Sequence, residues 1–184
     1  MKGYDYAWPG ACFVTIVTHD RATIFDDPVF RQVAETLWQR IPCHSPHIEL
    51  DEWVVMPNHV HGIIVIVDNS RGRGEASVEE RFVPSGGFPC ATRFSARQDS
   101  IDASPLPEPP CGSPSGSLGA IVGNFKSVVT RRINRIRKTP GEPVWQRNYY
   151  ERIIRNEREL NAVRQYIRDN PARWAEDREN PNRW

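Results

Sequence analysis

At 184 residues with a formal net charge of +1, the chain is long enough to bury one core without disulfides or a structural metal. No apolar run is long enough to span a bilayer, and the first residues lack a basic-then-apolar signal layout, so a cytoplasmic protein with no membrane partner is expected. Cys12, Cys43, Cys90 and Cys111 are scattered without C-x-x-C spacing, which argues against a zinc ribbon and gives no ground for a disulfide framework.

Ala11 to Thr18 reads as a strand with Cys12, Val14 and Ile16 on one face and Phe13, Thr15 and Val17 on the other. Apolar residues on both faces predict an interior strand. Asp26-Asp27-Pro28 then marks a helix start, Val29, Val33, Leu37 and Ile41 recur at helical spacing, and Pro42 is expected to end the segment. Ile48 to Val55 reads as a second strand, Pro57-Asn58 as a turn, and His59 to Val67 as a third strand antiparallel to the second, since so short a connection allows no crossover.

The third strand opens with Met56-Pro57-Asn58-His59-Val60-His61. Side chains alternate across a strand, so His59 and His61 share a face while Val60 points away. Two adjacent imidazoles at the head of a buried strand make half of a metal site. An isolated pair of this kind is also commonly satisfied by backbone carbonyls, so the rest of the chain must decide.

Residues 68–117 are rich in Gly, Ser and Pro, show no sustained periodicity, and read as a flexible insertion within one domain spanning 1–174. Ser117 is the candidate N-cap of a helix with an apolar stripe of Ile121, Phe125, Val128, Val129 and Ile133, stopped by Thr139-Pro140-Gly141. Val144 to Ile154 gives a fourth strand, or an extended lead followed by one. Asn156 caps a last helix packed through Leu160, Val163 and Ile167, with Pro171 after its end. Tyr166 and Asn170, four apart, stand one above the other at the edge of that stripe. Each alone is equally an ordinary helix-rim tyrosine and a helix-terminating asparagine. Residues 175–184 form a polar tail.

Strand–helix–strand–strand–helix–strand plus a final helix predicts an α+β fold, the ferredoxin-like split βαβ sandwich. Two helices cover one face of an antiparallel sheet, the first and third strands are central, and the last helix crosses the opposite face. Charge is uneven along this order. Residues 1–60 hold four Lys/Arg against eight Asp/Glu, whereas residues 126–173 hold thirteen against five. A concentrated basic half is the footprint of a phosphate-rich partner.

MPNHVH with its apolar strand, followed by WQRNYYERIIRNERELNAVRQYIRDNP, resembles the REP-associated tyrosine transposases of the HUH single-tyrosine superfamily. The resemblance runs from about residue 4 to about 174, apart from the 68–117 insertion. It implies that His59, His61 and Asn170 bind a divalent cation, Mg²⁺ or Mn²⁺, and that Tyr166 is the nucleophile. It further implies a metal-dependent endonuclease and strand transferase that cleaves hairpin-containing single-stranded DNA through a 5′-phosphotyrosine, as a monomer or a homodimer. Lys126, Arg131, Arg132, Arg135, Arg147, Arg152 and Arg155 are the candidate DNA contacts. The competing expectation is a domesticated DNA hairpin-binding protein without catalysis.

Overall fold

Alternating burial builds the sheet. The computed structural model describes residues 10–67, 113–114, 116–181 and 183, so most of the expected insertion, residues 68–112, lies outside the described residues. Strands β1 (Gly10–Val17), β2 (Ile48–Met56), β3 (His59–Ile66) and β4 (Tyr150–Ile154) form one antiparallel sheet in the order β2-β3-β1-β4. The first and third strands are therefore central, as their two-sided apolar pattern predicts. Before β4, residues 144–146 run as an extended lead beside the end of β1: Gln146 N–H donates to Val17 O at 2.9 Å, and Trp145 bridges Thr18.

One face of the sheet, carrying Cys12, Val14, Ile16, Val60, Ile64 and Ile66, is covered by helices α1 (Pro28–Gln39) and α3 (Leu118–Arg137). The other, carrying Phe13, Ile63 and Ile154, is covered by α4 (Glu157–Asp169) through Ile167, Leu160 and Val163. Each start follows from a local cap. Asp27 Oδ1 accepts from Val29 N–H at 2.8 Å, Ser117 Oγ from Ala120 N–H at 3.3 Å, and Asn156 Oδ1 from Glu159 N–H at 2.9 Å. Lys138 ends α3 in the left-handed region, at φ 59°.

The first helix departs from expectation in two respects. Its buried face is Ala34 and Trp38, with Phe30, Val33 and Leu37 beside them, while Val29 is exposed. Trp38 carries far more apolar area than Val29, so the helix rotates to seat it. Pro42 does not end the helix. Arg40 separates off a short turn, α2 (Ile41–His44), and Pro42 sits in its first turn, where a missing N–H breaks no helical bond.

Trp38 packs against Gly62 of β3, on the strand face opposite the histidines. A Cβ at Gly62 would lie 2.3 Å from Trp38 Cζ2. Gly62→Ala should therefore cost about 1–3 kcal/mol through overpacking. Urea denaturation checks this: an unchanged midpoint would mean that the indole moves aside freely.

Candidate metal and nucleophile site

The strand pleat puts His59 and His61 on the α4 side of β3, with ring centroids 4.3 Å apart. Both rings are buried, at 0 % and 3 % exposure. Each is held by its Nδ1. Thr15 Oγ1, opposite His61 in the β1–β3 register, lies 2.8 Å from His61 Nδ1. His59 Nδ1 lies 2.8 Å from Asn58 Oδ1.

The Asn58 contact fixes a tautomer. Asn58 Nδ2 donates to the carbonyls of Arg21 at 3.1 Å and Glu179 at 2.6 Å, so the amide cannot be turned over. Its Oδ1 only accepts, and His59 Nδ1 must therefore carry the proton. The lone pair of His59 is left on Nε2, a buried atom with no hydrogen-bond partner among the described residues. An orienting bond on one ring nitrogen and an open lone pair on the other is the arrangement of a metal-ligating histidine.

Oxygen donors close the cluster. The chain after α4 makes a 3₁₀ turn over Pro171–Glu176, which brings Trp174 to 6.0 Å from the His59 ring. Asp177 Oδ1 accepts from Glu179 N–H at 2.7 Å, while Asp177 Oδ2 faces His59 Nε2 at 3.9 Å. Donor atoms of His59, His61 and Asp177 lie within 4.8 Å of one another. Asn170 caps α4, is buried, and its Oδ1 also lacks a partner among the described residues. The two imidazoles and the Asp177 carboxylate form a mixed N/O set suited to a divalent cation of intermediate character. The orphaned His59 Nε2 is an atom that such a cation would satisfy.

Tyr166 reaches the same place from α4. Its hydroxyl lies 3.4 Å from His61 Nε2, and its ring meets Phe13 edge-on at 6.0 Å. Burial and the nearby Asp177 push the phenol up from its ordinary pKa, and a hydrogen bond from the Asn170 side chain pulls it partly back. The hydroxyl opens onto a groove of about 510 Å³, whose walls include Phe13, Gln146, Asn148, Tyr150 and Glu179. Tyr150 is 58 % exposed there, with its ring 6.5 Å from Phe13.

The basic residues are spread more widely. Arg131, Arg132 and Arg135 are exposed on α3, in the layer on the opposite face of the sheet from α4. Arg147 is exposed just past the extended lead and Arg155 just beyond β4. Arg152 is paired with Phe13 in register and reaches Glu159 at 3.6 Å. Lys126 has a different task. Its Nζ donates to the carbonyls of Gln146, Arg147 and Asn148 at 2.6, 3.0 and 3.4 Å, so its three protons clamp the lead strand.

Sequence reading singled out neither Asp177 nor Thr15, and it missed the arginines at the groove. Arg21 and Arg178 line it, with Arg21 held to Glu179 at 3.0 Å. Thr15 was legible as a strand neighbour only once the register was known. Asp177 carries no spacing signal and reaches the site through tail contacts.

Among curated proteins, an uncharacterized protein of Haemophilus influenzae (strain ATCC 51907 / DSM 11121 / KW20 / Rd) is 30% identical over 185 residues, covering 96% of this chain and 88% of that protein. The chain belongs to the family of that protein. No family profile matches the chain. Among solved structures, a REP-associated tyrosine transposase bound to a REP hairpin aligns at a TM-score of 0.57 and 16% identity, over 95% of this chain and 74% of that one. The chain therefore has a REP-associated tyrosine transposase-like fold. No helix among the described residues is long and apolar enough to cross a membrane.

Burial lowers His59 from its ordinary 6.5 to about 4, against a smaller opposing pull from Asp177. Burial, then repulsion from His59, holds His61 well below the same value. Between about pH 6.5 and 4 the unfolded chain takes up protons that the folded chain refuses, so stability is full above 6.5 and declines as pH falls through that window. Urea midpoints of the metal-free protein should follow this, and His59→Gln should flatten part of the decline. An identical pH profile in wild type and variant would contradict it.

Proposed function

We propose that the chain is a metal-dependent single-stranded DNA endonuclease and strand transferase of the transposase type, acting on hairpin-containing DNA. The observation that carries this reading is the Tyr166 hydroxyl, 3.4 Å from His61 Nε2 at the wall of an open groove, beside a buried imidazole whose lone pair is unclaimed. A structural tyrosine would have no need to meet a metal-type cluster at a groove. The fold neighbour bound to a REP hairpin supports the same substrate class.

His59, His61 and Asn170 are the proposed ligands, with the Asp177 carboxylate as a further oxygen donor. A bound Mn²⁺ or Mg²⁺ would polarise the scissile phosphate and offset the charge that builds on it. Imidazole nitrogens favour Mn²⁺ over the strictly oxygen-seeking Mg²⁺. The Tyr166 oxygen attacks phosphorus, forming a 5′-phosphotyrosine, and the bond from phosphorus to the 3′ oxygen breaks. The phenol gives up its proton and the departing 3′ oxygen gains one. Because the phosphodiester energy is kept in the covalent bond, a second 3′-OH can reverse the step on another strand without ATP. Such an exchange needs in-line placement of the Tyr166 oxygen, toward which the packing of α4 on the sheet contributes by holding the helix down.

Exposed Arg131, Arg132, Arg135, Arg147, Arg152 and Arg155 are the proposed phosphate contacts, and Tyr150 offers an open ring on which an unpaired base can stack. Lys126 holds residues 146–148, of which Gln146 and Asn148 line the groove beside Tyr150.

The test is incubation of the protein with labelled hairpin single-stranded DNA and Mn²⁺. Cleavage and a covalent adduct are expected in wild type, and neither in Tyr166→Phe. His59→Ala should abolish cleavage while salt-sensitive DNA binding stays within about twofold. An adduct in Tyr166→Phe would sink the nucleophile assignment. Tight binding with no cleavage in wild type would leave a hairpin-binding protein without catalysis.

A further inference from the structure

Two arginines on α4 and two consecutive acidic residues on β2 make contacts that neither the core nor the cation cluster uses. Arg164 Nε lies 3.0 Å from both Asp51 carboxylate oxygens, and Arg164 Nη2 lies 2.6 Å from Oδ2. One turn on, Arg168 Nε donates to Glu52 Oε1 at 2.9 Å. Consecutive residues of a regular strand point to opposite faces, so two neighbours cannot both meet one helix.

A β-bulge permits it. Leu50 pairs with Ile64 and Trp53 with Gly62, so β2 has one residue more than β3 over this stretch. Leu50 and Trp53 both pack in the α1/α3 layer. The two residues between them are thereby free to turn together toward α4. The bulge is stabilised locally, because Glu52 N–H donates to Asp51 Oδ1 at 2.8 Å.

The apolar seam under α4 is narrow, since Ile167 is its only fully buried residue, flanked by Leu160 and Val163. A seam of that kind chooses the face a helix buries but leaves sliding and rotation weakly specified. At about 100° per residue, Arg164 and Arg168 lie on one flank of the 163/167 seam, and Tyr166 and Asn170 lie on the other. Ion pairs on one flank therefore set the rotation of the other.

We propose that the bulged Asp51-Glu52 pair and Arg164 and Arg168 form a clamp that fixes the rotation and axial position of α4, and so aims Tyr166 at His61. These four are positioning residues, and the inference rests on the nuclease reading above. Partly exposed ion pairs add little to global stability. A bidentate Arg–carboxylate pair does fix geometry. Arg164–Asp51, the less exposed pair, carries more of the constraint than Arg168–Glu52.

The test compares Arg164→Ala, Asp51→Asn, and the two together, with saturating Mn²⁺ and hairpin single-stranded DNA. Asp51→Asn keeps an oxygen for the bulge N–H, so it guards against simple misfolding. Each single change should lower kcat for adduct formation about 10- to 100-fold, leave KM and DNA affinity within about twofold, and speed amide exchange in Glu157–Asp169 but not in Leu118–Arg137. The double change should be no worse than the worse single, within about twofold. Unchanged kcat and exchange, multiplicative losses in the double, or DNA affinity falling in step with kcat would each overturn the clamp. Absence of any adduct in wild type would instead overturn the nuclease reading, and α4 exchange would still decide whether the ion pairs hold the helix.

Discussion

Everything in this molecule depends on β3 being buried on both faces. Val60, Ile64 and Ile66 on one side close the larger core, and His59 and His61 on the other close the candidate site. A one-residue slip of the strand would exchange the two sets, putting imidazoles under Trp38 and valine beside Tyr166. Gly62 resists that slip, because only at this register does a residue without a Cβ face the indole. The packing of α1 and the chemistry of the opposite face are thus set by the same register.

Within that frame the histidines are prepared for a ligand by neighbours that contribute no ligand themselves. Thr15 is delivered by β1, opposite His61 across the ladder. Asn58 is delivered by the tight turn between β2 and β3, and its amide is locked by two carbonyls from distant parts of the chain, Arg21 and Glu179. The segment beyond α4 therefore acts on the site twice, once by fixing Asn58 and once by bringing Asp177 near His59. Burial keeps both imidazoles unprotonated at neutral pH, the state in which they can bind a cation.

How much of this was legible in the sequence follows from the range of the interactions involved. Strand alternation and helix caps are local, so the order of elements, Ser117 and Asn156 as N-caps, and the shared face of His59 and His61 were all readable. That Tyr166 and Asn170 stand one turn apart was readable because a spacing of four is also local, whereas the roles expected of them came only from the family resemblance. The rotation of α1 was not, because it follows from the fit of Trp38 against Gly62, and these residues meet only after folding. The anionic neighbour of His59 was invisible for the same reason: nothing in the tail announces that Asp177 returns to β3. Net basic charge, finally, says nothing about which cations are free. Lys126 looks like a phosphate contact in the sequence, yet three backbone carbonyls hold its protons.

The bulge in β2 shows how an irregularity can carry more information than the regular strand around it. A strand kept in register would turn one of Asp51 and Glu52 toward the apolar layer that holds Leu50 and Trp53, at a cost no neighbouring cation offsets. The extra residue removes that cost and gives α4 two anions on one side. The helix then has three kinds of restraint with different directions. Ile167 holds it down onto the sheet, Arg164 and Arg168 tie one flank to β2, and Tyr166 touches His61 on the other. On the proposed reading Tyr166 meets a phosphorus atom in line, which needs all three directions fixed, and apolar packing alone supplies only the first.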